Sequence, residues 1–150
     1  MEAEVYPNER VVNLIGSEFI PAKIHIKEQP QVFKRFGVQW TPTQLIMSPD
    51  GVECHRIEGF LPVDDLLAQL ELGIGKVWFK QEKYAEAEKR FRTVAQKYPS
   101  TEAAPEAVYW AGVSAYKASN DATKLSEAQQ ILQGKYPLSQ WARKAVVWAK

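Results

Sequence analysis

The spacing of apolar residues changes character near residue 73. Before it, apolar positions come in short blocks of differing period; after it, they recur only at helical spacing. Residues 1–6 read as the end of a helix stopped by Pro7, which disfavours a helical residue before it. Asn8 then precedes Val11, Val12, Leu14 and Ile15, the pattern of a short helix whose first free amides an Asn side chain can cap. From Ala22 to Lys27, Lys23, His25 and Lys27 alternate with Ile24 and Ile26, which predicts a strand with one buried face. Val32, Phe33 and Phe36 predict a helix over residues 30–36, and Gly37 suits the left-handed residue past its end. Strands over 43–48 and 52–58 flank Pro49-Asp50-Gly51, a hairpin by its turn residues. Pro62 at a first helical position, with Asp64 and Asp65 behind it, opens a helix bearing Leu66, Leu67 and Leu70. These elements predict an α/β part over residues 1–72 and an all-α part over residues 73–150.

The second part carries an internal period. Lys97-Tyr98-Pro99 recurs as Lys135-Tyr136-Pro137, and Ala107-Val108-x-Trp110-Ala111 as Ala145-Val146-x-Trp148-Ala149, both 38 residues apart. Gly75, Trp78, Ala87, Phe91 and Pro99 fall at offsets that resemble a tetratricopeptide repeat, whose period is about 34 residues. The resemblance implies helix pairs in which Gly75 and Ala87 allow close approach while Trp78, Phe79, Tyr84, Phe91 and Tyr98 interlock as core. In a second unit Gly112 takes the part of Gly75, beside Trp110. Thr101 and Ser139, each two residues past the repeated proline, are the expected caps of equivalent helices. Trp141 and Trp148 are expected together on the final helix.

The first part holds the stretch Phe36-Gly37-Val38-Gln39-Trp40-Thr41-Pro42-Thr43-Gln44-Leu45-Ile46, a helix end followed by Thr-Pro-Thr and a strand. It resembles the cis-proline loop of thioredoxin-like domains. Residues 19–27 look like that family's strand before its middle helix, and residues 57–62 like its last strand running into its last helix. The resemblance implies a cis Thr41-Pro42 peptide and a substrate-binding loop formed by Trp40, Thr41 and Pro42. It also implies that Met1 matches the Met just after the family's Cys-x-x-Cys, so that the chain begins past that motif and past the strand before it. The expected fold is thus an incomplete thioredoxin-like domain followed by a tetratricopeptide-like helical repeat. A small, weakly stable sheet that self-associates through its open edges is expected of such a domain.

Composition narrows the chemistry. With 45% hydrophobic and 25% charged residues the chain has an ordinary globular balance. Its net charge of +1 conceals 6 Lys/Arg against 11 Asp/Glu in residues 1–72 and 13 against 7 in residues 73–150. The basic charges of the second part are interleaved with acids at helical spacing, which suits a solvated helix face and argues against a nucleic-acid partner. One cysteine, Cys54, allows no internal disulfide, and with two histidines the chain is poor in the usual zinc ligands. No cofactor is expected. No membrane span or signal peptide is evident, which leaves a cytoplasmic location as the default. His25 reads as a solvated strand histidine and Cys54 as a packed one, since alternation sends His55 to the opposite face. Asp64-Asp65 and the Glu86, Glu88 pair fit dipole compensation better than acid/base catalysis. Thiol-disulfide exchange needs an attacking thiolate, and this chain has no Cys pair to supply one. The expected function is therefore a non-catalytic module that binds proteins or peptides; the alternative is a truncated oxidoreductase whose Cys-x-x-Cys lies upstream of Met1.

Overall fold

In the computed structural model, which describes residue 1 and residues 3–149, the chain opens on a turn in which the amides of Val5 and Tyr6 both bond Met1 O. This turn stands where the end of a helix is expected; Glu2 lies outside the described residues. Asn8 caps helix α1 (Glu9–Glu18), its side chain accepting from Arg10 N at 3.0 Å. Helix α2 (Pro30–Arg35) follows, with Gly37 left-handed just past it at φ +60°. Strands β1 (Thr43–Met47) and β2 (Glu53–Glu58) form an antiparallel two-stranded sheet. Ile46 faces His55 but Met47 faces Glu53, so Cys54 is the extra residue of a bulge.

The strand expected over Ala22–Lys27 is not formed. Residues 20–25 run without regular structure, and Ile20, Ile24 and Ile26 are exposed. Alternation gives a segment the right faces for a sheet, but a strand exists only through a neighbour's hydrogen bonds, and β1 pairs with β2 alone among the described residues.

Helix α3 (Val63–Lys80) comes next, and the boundary between residues 72 and 73 falls inside it. Pro62 is its cap and not its first helical residue: its backbone is extended at ψ 165°, and its carbonyl accepts from Leu66 N. Helix α3 meets the hairpin along Gln69, Gly73, Lys76 and Lys80, and it packs as well on α4 (Tyr84–Lys97) and α5 (Ala103–Ser119). Short links then lead through α6 (Thr123–Lys135) and α7 (Gln140–Ala145) to a 3-10 turn at Val146–Trp148. Each of these helices packs on the one before it, which gives a stacked helical region.

One continuous core runs from Val5 and Val11 through Ile46, Ile57 and Leu66 to Phe91, Val94 and Ala107. A second, smaller one gathers Val108, Ala128, Leu132, Ala142 and Ala145. Two close approaches set the helix spacing. A Cβ on Gly75 would lie 2.5 Å from the Phe91 ring, and one on Gly112 would overlap the Ala128 methyl. Ser139 caps α7, accepting from Ala142 N at 3.0 Å. Thr101 does not cap α5; its hydroxyl instead donates to Tyr98 O at 2.8 Å, and the helix begins two residues later, at Ala103. Trp141 lies on α7, but Trp148 falls in the 3-10 turn, because the helix tightens after Ala145.

Candidate functional site

The loop between α2 and β1 is held from both sides. Thr41-Pro42 is a cis peptide, Thr43 Oγ1 donates to Trp40 O at 2.6 Å, and Pro42 O accepts from Gly59 N at 2.8 Å. The end of α2 is fastened as well, since Val38 N bonds Phe33 O and Arg56 Nη2 donates to Phe36 O at 2.6 Å. Arg56 is itself oriented by Glu53, with Nε–Oε1 at 2.7 Å and Nη2–Oε2 at 2.8 Å, a forked pairing that fixes the guanidinium plane. Its guanidinium is charged at all ordinary pH, because the hydrogen bonds to Glu53 raise an already high pKa.

These contacts frame an open groove of about 230 Å³ lined by Ile26, Phe33, Val38, Gln39, Trp40 and Thr41. Trp40 stands at its rim with 68% of its surface exposed. A large aromatic left in water on a loop that is anchored elsewhere contributes little to folding and is available for contact. Of the expected loop residues, Trp40 and Thr41 are exposed and Pro42 is half-buried.

The expected packing residues sit apart from this groove. Ala87 and Phe91 are fully buried. Tyr84 meets Phe79 edge-on at 5.3 Å, and Phe79 meets Trp110 at 5.2 Å. Trp78 is half-buried under the Lys83 ammonium, 4.7 Å from its ring centre. Trp110 continues to Tyr109 and Trp141, so the aromatic positions of α3, α5 and α7 form one connected row. The other candidates have ordinary partners: His25 Nδ1 accepts from Lys27 N in an exposed turn, Asp64 pairs with Arg10 at 2.8 Å, and Glu88 with Arg92 at 2.7 Å. Cys54 is half-buried, its thiol 3.5 Å from Val52 O. The bulge upsets the alternation argued from sequence, but His55 is still no base for Cys54, because both its ring nitrogens are engaged elsewhere.

That engagement was not legible in the sequence. His55 Nε2 lies 2.7 Å from Gln69 Oε1, Lys76 Nζ lies 3.0 Å from His55 Nδ1, and Lys76 pairs with Glu106 at 2.6 Å. Gln69, Gly73 and Lys76 share one stripe of α3 at i, i+4 and i+7. That spacing is visible in the sequence, but nothing there sets His55 opposite it. Arg90 was missed too: it bonds Glu71 at 2.8 Å and Glu18 at 2.5 Å, joining α4 to α3 and to the end of α1.

Comparisons with known proteins match the two parts of the chain to different families, with an overlap over residues 60–74. Residues 1–74 match the family model described as Thioredoxin-like domain, and residues 60–130 match the one described as Outer membrane lipoprotein. A curated relative, the SPbeta prophage-derived thioredoxin-like protein YosR of Bacillus subtilis (strain 168), is 37% identical over 49 residues. The match covers 31% of this chain and 61% of that protein. No solved structure matches the chain with significance. No helix among the described residues is long and apolar enough to cross a membrane. The chain thus joins a thioredoxin-like domain, here with a single cysteine and no Cys-x-x-Cys pair, to a tetratricopeptide-like helical region similar to the Outer membrane lipoprotein family.

Proposed function

We propose that the chain is a non-catalytic protein-interaction module which docks extended polypeptide segments at the Trp40-Thr41-Pro42 loop. The observation that carries this reading is the exposed Trp40 indole on a loop fixed at both ends, beside an apolar groove and without a thiol pair. Rigid aromatics at the rim of a preformed groove are the residues that dominate binding energy when they become buried by a partner. The groove is lined by aliphatic, aromatic and neutral polar groups, which suits an uncharged extended segment with apolar side chains. The helical region supplies a rigid support and a second surface for protein partners. Self-association belongs to the same reading, since β1 and β2 each keep one side without a strand partner among the described residues.

The test is fluorescence anisotropy with a labelled, cysteine-free apolar peptide. Trp40→Ala is expected to weaken binding by roughly tenfold or more, the scale of a hot-spot truncation, while the melting temperature stays within about a degree or two of the parent. Equal affinity of parent and variant contradicts the docking role. In a companion assay with dithiothreitol and a disulfide-bonded protein, the chain is expected to give no catalysed reduction above the uncatalysed rate.

A further inference from the structure

Beside the buried Ile46 and Ile57 and the Lys80–Asp50 pair, a chain of four polar side chains from three elements fastens the hairpin to the helical region. Gln69 and Lys76 of α3 bracket the imidazole of His55 on β2, and Glu106 of α5 holds Lys76 from behind. Beneath them the helix backbone comes close, since a Cβ on Gly73 would lie 3.4 Å from His55 Cβ and overlap the Ile46 side chain. The direction of each hydrogen bond is fixed by chemistry. Lys76 can only donate, so His55 Nδ1 must accept, and Gln69 Oε1 can only accept, so His55 Nε2 must carry the proton. The arrangement therefore takes the neutral ring in one tautomer. A second proton on Nδ1 removes the acceptor for Lys76 and sets two cations 3.0 Å apart.

We propose that His55 is an acid-released latch: as the neutral tautomer it fastens the β1–β2 hairpin to α3 and α5, and on protonation it lets the hairpin go. Lys76 and Glu106 are the charged groups that face it, from α3 and α5; β1 contributes the apolar Ile46 opposite. Burial, and after it the Lys76 ammonium, holds the imidazole below its ordinary 6.5, against the smaller opposing effects of Gln69 and Glu106. The sign follows from linkage. Above about pH 6.5 the ring is neutral whether the hairpin is docked or released, and docking does not depend on pH. As pH falls below that value the released hairpin takes up a proton that the docked one refuses, so docking weakens. This device is independent of what the groove binds.

The experiment is hydrogen exchange on the full chain from pH 8 to pH 5, as protection relative to each amide's intrinsic rate, combined with NMR of the His55 ring. Protection of the β1 and β2 amides is expected to fall by roughly tenfold per pH unit below pH 6.5, until the docked ring itself titrates, while α4 and α5 hold theirs. His55→Gln is expected to abolish that dependence. At pH 7.5 the ring should be the Nε2-protonated tautomer. A ring that titrates at or above 6.5, hairpin protection that does not change with pH, or a loss shared equally by α4 and α5 would overturn the proposal. The ring titration of the parent chain decides the matter if His55→Gln fails to fold.

Discussion

Phe91→Ala is expected to lower the unfolding free energy by about 3–5 kcal/mol, the range for removing a buried aromatic ring and leaving its cavity. Phe91 is fully buried on α4, and the ring lies over Gly75 of α3, where the missing Cβ makes its space. The same contact can be broken from the other side. Gly75→Leu puts a side chain where the ring already sits and should cost roughly 1–3 kcal/mol by overpacking. Helix propensity works against this loss, because glycine inside a helix is about 1 kcal/mol worse than alanine; the clash prevails because a Cβ would start 2.5 Å from a ring that the core holds in place. Urea denaturation followed by circular dichroism measures both. A cost below about 1 kcal/mol for Phe91→Ala would mean that this ring is not in the core.

Arg90→Ala should cost about 2–3 kcal/mol, somewhat less than the 3–5 typical for breaking a fully buried pair, because the guanidinium keeps some contact with water. Glu71 is 7% exposed, so removing Arg90 strands its carboxylate without a cation. Glu18, on α1, loses its partner too, and the end of that helix loses its tie to α4. The control is Arg90→Met with Glu71→Met. Replacing both charges by apolar groups of similar volume leaves no buried ion stranded, only the exposed Glu18 without its partner, and should recover most of the loss. If the double variant is as unstable as Arg90→Ala, the ion pair is not the cause.

The elements legible in the sequence were those whose signal is local. Asn8 and Ser139 cap their helices because capping depends on a side chain and the amides just after it. Gly37 and Gly51 take positive φ where a helix end and a hairpin turn require it. The two-repeat spacing around Gly75 and Gly112 was readable because close helix approach excludes a Cβ at both sites. What failed depended on partners. Ala22–Lys27 has a strand's alternation but no strand to pair with. Thr101 has a cap's residue type, but its hydroxyl is taken by Tyr98 O. The cis Thr41-Pro42 loop was readable from the order of residues around a proline, whereas the groove beside it is completed by Ile26 and Phe33, which only the folded chain brings there. The His55, Gln69, Lys76 and Glu106 chain joins residues as far apart as 55 and 106, and nothing local marks it.

Docking of an extended polypeptide at the Trp40-Thr41-Pro42 loop, without thiol chemistry, has a direct signature in the loop and the groove beside it. Amide and indole chemical-shift mapping of the labelled chain, titrated with an unfolded polypeptide whose cysteines are alkylated, tests it most directly. Saturable shifts are expected at Trp40, Thr41, Val38, Phe33 and Ile26, with their loss in Trp40→Ala. Absence of shifts at these residues, with the polypeptide bound elsewhere or not at all, would contradict docking at the loop.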